Sequence, residues 1–231
     1  MLITDRDLVI IRWINSHRLV TAEHVKKKFL MSRQSAYRRL KILVEAGYLA
    51  YERIFISKPG VYRVTQKGVA VSEDDLPPKG VCLGTYHHDI EIVTLAINLE
   101  ERTGGKWVPE RRIRQELGLK GVGQAGHVPD GFLLLPDKRV AVEMEQTKKG
   151  DARMAKIISY YKNEPTIAEV WYFCCTDTIV KRVSKAVSET GKFKIIKWPE
   201  MTEIQVGPVQ KPEGQISMDQ FFWGVKNANR L

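Results

Sequence analysis

Three carboxylates hold most of the chemistry that this sequence offers. In Arg139-Val140-Ala141-Val142-Glu143-Met144-Glu145-Gln146 the residue types predict a strand, and strand side chains alternate. Val140, Val142 and Met144 then point one way and Ala141, Glu143 and Glu145 the other. A second apolar run, Gly131–Leu135, precedes it and predicts a hairpin. Closing that hairpin with Pro136 to Arg139 sets Leu135 opposite Val140, Phe132 opposite Glu143 and Asp130 opposite Glu145. A slip of one residue pairs Asp130 with Gln146 instead. Like charges directly opposite destabilise a sheet, so such crowding asks for a cation. Oxygen-only ligands suit Mg²⁺ or Mn²⁺, ions that also bind phosphate esters. The plain alternative is a solvated sheet face that happens to hold two glutamates. His127 is the histidine nearest the acids in sequence and the accessory candidate. His87 and His88 are adjacent, so a helix cannot turn both to one site; one exposed and one half-buried ring is expected. Tyr160 and Tyr161 most simply pack, and no HxH cluster accompanies them to suggest a nicking tyrosine.

The elements that must position these groups follow from periodicity. A helix is expected from Tyr86 to Glu101, a strand over 106–112 and a glycine-rich loop over 115–128. After the acidic hairpin come a helix from Asp151 to Lys162, a strand over 169–175, a helix from Thr178 to Thr190 and a strand over 192–198. The order α-β-β-β-α-β-α-β implies a mixed sheet flanked by helices. The tail, 199–231, is rich in Pro, Gly and Gln, and its Phe221, Phe222 and Trp223 are expected to dock back on the body.

Charge divides the chain. Residues 1–71 hold 14 Lys/Arg against 5 Asp/Glu, a net of +9 out of +10 for the whole 231 residues. A compact basic unit suits a polyanion, because each phosphate neutralised releases a condensed counterion. Thr4, Thr21 and Ser32 each stand where a helix N-cap belongs. Ala36, Leu40, Leu43 and Val44 form a core stripe on the third helix, which Gly47 stops. The opposite face shows Arg33, Gln34, Tyr37, Arg38 and Lys41. A hairpin follows, Leu49–Ser57 and Val61–Thr65, turned by Lys58-Pro59-Gly60. Residues 72–84, with three consecutive acids and paired prolines, read as a linker between this unit and a second one over 85–198. The expected fold class is therefore α+β in two domains.

Three helices and then a hairpin resemble the winged helix-turn-helix superfamily, carried by Leu40-Lys41-Ile42-Leu43-Val44-Glu45-Ala46-Gly47-Tyr48-Leu49 and Gly60-Val61-Tyr62-Arg63-Val64-Thr65-Gln66-Lys67-Gly68. That resemblance implies double-stranded DNA as partner, with the third helix in the major groove and the wing on the backbone. It assigns Arg33, Gln34, Tyr37 and Arg38 to the groove, and Lys26, Lys27, Lys28, Arg39, Lys41 and Lys58 to phosphates.

Val128-Pro129-Asp130, an apolar strand and Glu143-x-Glu145 resemble the PD-(D/E)xK nuclease superfamily over residues 86–176. The resemblance implies Asp130 and Glu143 as metal ligands, with Glu145 standing where a lysine belongs. Lys148 or Lys149 lies just past the strand at a spacing that departs from the pattern. The combination, with His87 or His88, Val128–Phe132 and Glu143–Thr147, is similar to the replication-relaxation family of plasmids and other mobile elements. Val128 and Glu145 depart from that family's Arg and Asp. What it implies is a DNA-binding protein acting in replication, DNA processing or transcriptional control, with a nuclease-like and degenerate second domain. An active Mg²⁺- or Mn²⁺-dependent endonuclease is the competing expectation, and a protein–protein adaptor the third. A homodimer on a palindromic site and a replication or DNA-processing protein are the further partners expected.

The sequence also sets exclusions. The amino terminus has acids where a signal peptide has its basic region, and the longest apolar runs fall short of a membrane span. Cys82, Cys174 and Cys175 do not build a disulfide framework, so a cytoplasmic, reducing setting is expected. A phosphate-cradling P-loop is missing from the sequence, which argues against ATP-driven work.

Overall fold

Side-chain caps start the first three helices of the computed structural model, which describes residues 3–119, 127–187, 191–201 and 204. Thr4 and Asp7 form a capping box on α1 (Asp5–Ser16), and Thr21 and His24 form another on α2 (Ala22–Lys28). Ser32 accepts from the Ser35 backbone N–H to start α3 (Arg33–Glu45). Gly47 follows α3 at φ +76°, a left-handed position that glycine fills without a Cβ penalty. The hairpin that comes next is β2 (Leu49–Glu52) and β3 (Val61–Val64), with the two-residue β1 (Val20–Thr21) on the other side of β3. The strands are shorter than the sequence suggested, and the connection between them, 53–60, is correspondingly longer.

A helix that the sequence did not signal, α4 (Gln66–Ser72), packs against α1. Gly68 permits it, since a Cβ there would lie 2.2 Å from the Tyr48 carbonyl oxygen. The segment read as a linker is fastened down. Asn15 donates to Leu76 O at 2.7 Å and to Asp74 at 3.0 Å, and Arg112 pairs with both Asp74 and Asp75 at 2.7 Å.

The second sheet runs β4-β5-β6-β7-β8, with β4 (Lys106–Pro109), β5 (Gly131–Leu134) and β6 (Arg139–Glu145) antiparallel in sequence. The strands β7 (Glu169–Cys174) and β8 (Phe193–Lys197) continue it in parallel. Helices α7 (Asp151–Asn163) and α8 (Asp177–Val187) cover one face, and α5 (Tyr86–Thr103) covers the other. The expected strand over 106–112 ends at Pro109 and gives way to α6 (Glu110–Glu116). The molecule is α+β, built on two sheets.

Helix α5 belongs to both halves. Leu95, Ala96 and Leu99 pack under the five-stranded sheet, while Val93 and Ile97 join Ile10, Ile14, Val25 and Leu40 in the first core. Polar bonds reinforce the seam: His24 Nε2 to Thr94 Oγ1 at 3.0 Å, Lys28 to Glu100 at 2.5 Å, and Arg18 to Glu110 at 3.1 Å. Met201 and Ile204 pack beneath the sheet, but Phe221, Phe222 and Trp223 lie outside the described residues. Among the described residues no helix is long and apolar enough to cross a membrane.

Candidate functional site

The β5–β6 hairpin closes more tightly than the sequence reading assumed. Leu135 N–H donates to Lys138 O at 2.9 Å, so the turn is the two residues Pro136 and Asp137 rather than four. Leu133 then faces Val140 and Gly131 faces Val142, a shift of two residues from the expected pairing. An even shift leaves every side chain on its expected face. It does move Asp130, which now falls level with Glu143 and not with Glu145 or Gln146.

Glu143 and Glu145 are each only 2% exposed, so a solvated face is ruled out. Each carboxylate is held by donors from a different element. Asp130 Oδ2 accepts from the Met144 backbone N–H at 2.8 Å and lies 3.2 Å from His88 Nε2 on α5. Glu143 Oε1 accepts from Tyr161 on α7 at 2.5 Å and lies 2.5 Å from His127 Nε2. Glu145 is paired with the Lys149 ammonium, which also stands 3.9 Å from Glu143.

The electrostatics follow from burial and these partners. Burial alone would raise Asp130, but the His88 hydrogen bond and charge outweigh it and hold the carboxyl below its ordinary value. His88 is raised in turn: Asp130 more than offsets the burial that disfavours its charge. Burial pushes Glu145 up despite Lys149, and the negative charges of Glu143 and Asp130 add to the rise. Burial opposes charge on Lys149, but Glu143 and Glu145 overcome it and raise the ammonium. Beside Glu143 on β7 sits Tyr172, whose buried hydroxyl has no partner among the described residues and is strongly biased to its neutral form by burial. Cys174, level with Glu145, is likewise pushed up to about 12 by burial.

The Lys149 ammonium thus places one positive charge beside the two glutamates from within the chain. Among the described residues no three His, Cys, Asp or Glu side chains form a metal-holding group. The carboxylates have the donor chemistry of a hard-cation site, and Lys149 shares that face with them. Two contributors escaped the sequence reading. Tyr161, expected only to pack, also donates to Glu143, and Tyr160 packs edge-on beside it at 5.4 Å. Lys149, at a spacing that departs from the nuclease pattern, meets Glu145 because the chain turns between positions i and i+4. His88 reaches the acids while His87 is exposed and stacks on Phe55 at 5.7 Å.

The second candidate surface is α3. Arg33, Gln34, Tyr37, Arg38 and Lys41 are all exposed along one side, with the Arg33 guanidinium 5.7 Å from the Tyr37 ring centre. Lys27 and Lys58 are exposed as well. The remaining cations assigned to phosphates are paired within the protein, Arg39 and Lys28 across elements and Lys26 with a neighbour on the surface of its own helix. Arg39 turns back and clamps the buried Asp7 through two hydrogen bonds, Lys28 is held by Glu100, and Lys26 pairs with Glu23 at 2.5 Å. Arg39 faces α1 because its position on α3 borders the Ala36–Leu40–Leu43 stripe.

No family model matches the chain, and no curated protein matches it. Among solved structures, the crystal structure of protein VC1899 from Vibrio cholerae is similar at 12% identity and a TM-score of 0.30. The match covers 87% of this chain and 49% of that one, so this chain spans about half of that protein's length. A likeness of that degree bears neither on fold nor on function.

Proposed function

We propose that the chain is a sequence-reading DNA-binding protein, with residues 1–71 acting as a winged helix and the five-stranded unit as a PD-(D/E)xK-like companion held in a charge-neutralised state. The observation that carries this reading is the sorting of cations on one helix. Arg39 is turned inward on Asp7, while Arg33, Gln34, Tyr37, Arg38 and Lys41 stay exposed with the donors that groove recognition uses. The reading takes that helix into the major groove and assigns Lys58 of the wing to the backbone. The resemblance to the replication-relaxation family then suggests a role in replication, DNA processing or transcriptional control of a plasmid or other mobile element.

Binding to random and selected duplexes over a salt series tests the reading. Expected is an affinity that falls steeply with salt, as counterion release requires. A chain that shifts no duplex even at low ionic strength overturns it.

The endonuclease reading has one observation in its favour: the Lys149 ammonium lies on the acid face with Glu143 and Glu145. That reading takes Mg²⁺ or Mn²⁺ on Asp130, Glu143 and Glu145. Cleavage of supercoiled DNA with either ion, lost in Asp130→Ala and Glu143→Ala, would establish it. Uncut DNA beside tight binding favours the regulator.

A further inference from the structure

Between α2, α3 and the β2–β3 hairpin lies a notch of about 250 Å³; the groove-reading assignment uses Tyr37 and Lys58 on its rim but gives no role to Tyr51, Arg53 and Tyr62. Its walls carry Tyr37, Tyr51 and Tyr62, with Arg53 and Lys58 along the hairpin side. Tyr51 and Tyr62 pack with ring centres 5.1 Å apart, and Tyr37 and Tyr51 remain 42% and 49% exposed. The outer end of the Tyr51 ring lies over Gly60, where a Cβ would fall 2.3 Å from it and push it aside. Arg53 donates one N–H to Ile56 O at 2.8 Å, which fixes the guanidinium while leaving further donors open. Glu23, on the α2 wall, is paired with Lys26, so its carboxylate adds an acceptor without a bare negative charge.

We infer that this notch receives an unpaired nucleobase, stacked on Tyr51, with the adjoining phosphates on Arg53 and Lys58. A duplex phosphate alone would need cations and N–H donors, for which three tyrosines offer little. Aromatic rings next to cations are instead the pattern that holds single-stranded nucleic acid, since every base has a flat face to stack. A paired base cannot enter, because its faces are covered by neighbours in the duplex. The ligand class is therefore DNA with a gap, a frayed end or an opened stretch next to the duplex on α3. This inference rests on the DNA-binding reading and narrows it to sites where strands separate.

The test uses the full chain and two probes of one sequence: a fully paired duplex, and the same duplex with a short single-stranded gap carrying 2-aminopurine. Expected is binding of the gapped probe about tenfold tighter than the duplex, within the range of one aromatic–base stack, with quenching of the 2-aminopurine. Tyr51→Ala should return the gapped probe to the duplex affinity, and Tyr51→Trp should keep the preference. Circular dichroism confirms that each variant is folded, and the wild-type preference stands as a test independent of them. Equal affinity for both probes overturns the notch inference and leaves duplex recognition intact. Binding of neither probe overturns the DNA-binding reading and the notch together. A preference that survives folded Tyr51→Ala overturns the notch alone.

Discussion

Lys149 lies four residues beyond Glu145 and brings its ammonium back onto that carboxylate, within 3.9 Å of Glu143 as well. One side chain thereby meets both glutamates of β6, and a group from the next loop offsets part of the negative charge that looked uncompensated in sequence.

Removing that ammonium should cost more than a surface charge would. Lys149 is 18% exposed and both glutamates 3% at the side chain, so Lys149→Ala strands two desolvated carboxylates. The expected loss is about 3 kcal/mol of stability, the order seen when one partner of a buried pair is deleted. Added Mg²⁺ or Mn²⁺ should restore part of it, because a hard cation can then take over the role of the ammonium. Thermal melts with and without the ions check both statements; an unchanged Tm would show that the ion pair is dispensable.

What the sequence made legible was local. Thr4, Thr21 and Ser32 mark helix starts because the cap is a contact between a side chain and backbone three residues on, independent of the rest of the fold. The shared face of Glu143 and Glu145 was equally readable, since parity survives any even change of register. The register itself was not, because the length of the turn at Pro136-Asp137 depends on packing on both sides of the sheet. Helix α6 was hidden for a related reason. It buries Ile113 and, unusually, Arg111, which donates to Asn15 and to the Pro77 carbonyl, so its pattern reads as surface. The double duty of α5 had a sign in the sequence: Ile90, Val93, Leu95 and Ile97 do not fall on one stripe, and a helix apolar on several sides is covered on several sides.

Neighbouring arginines on α3 should respond in opposite ways. Arg39 clamps Asp7, whose side chain is 1% exposed; burial would raise that carboxyl, and the bonds from Arg39 and Thr4 hold it below its ordinary value. Arg39→Ala should therefore lower stability by about 3 kcal/mol, because it leaves a buried charge unpaired. Arg38 is exposed, so Arg38→Ala should leave the Tm within about 1 °C while weakening DNA binding by about tenfold. Denaturant melts and binding isotherms on the same preparations separate the two effects. Equal loss of affinity in both, with no loss of stability in Arg39→Ala, would refute the inward assignment.

The basic unit and its His24 bond to α5 should lose stability in acid. His17 is buried with no partner for its Nε2 among the described residues, and burial lowers it to about 3, with the nearby positive charge of Lys28 adding to the effect. His24 is lowered to about 4, chiefly by burial and then by Lys27. Its Nδ1 accepts from the Thr21 N–H, so Nε2 carries the proton and donates to Thr94 of α5. Both folded values lie below the ordinary 6.5, so the unfolded chain takes up protons first. The stability contributed by the neutral rings is complete above pH 6.5, declines as pH falls through that value, and levels off only near pH 3 to 4. Each ring should account for about 2 kcal/mol between roughly pH 8 and pH 5. The pair His17→Asn and His24→Asn keeps a polar atom near each Nδ1 position and removes the titration. Urea melts across that range should be flatter in the double variant by about 4 kcal/mol. A wild-type profile no steeper than that of the variant would mean that neither ring is held neutral in the fold.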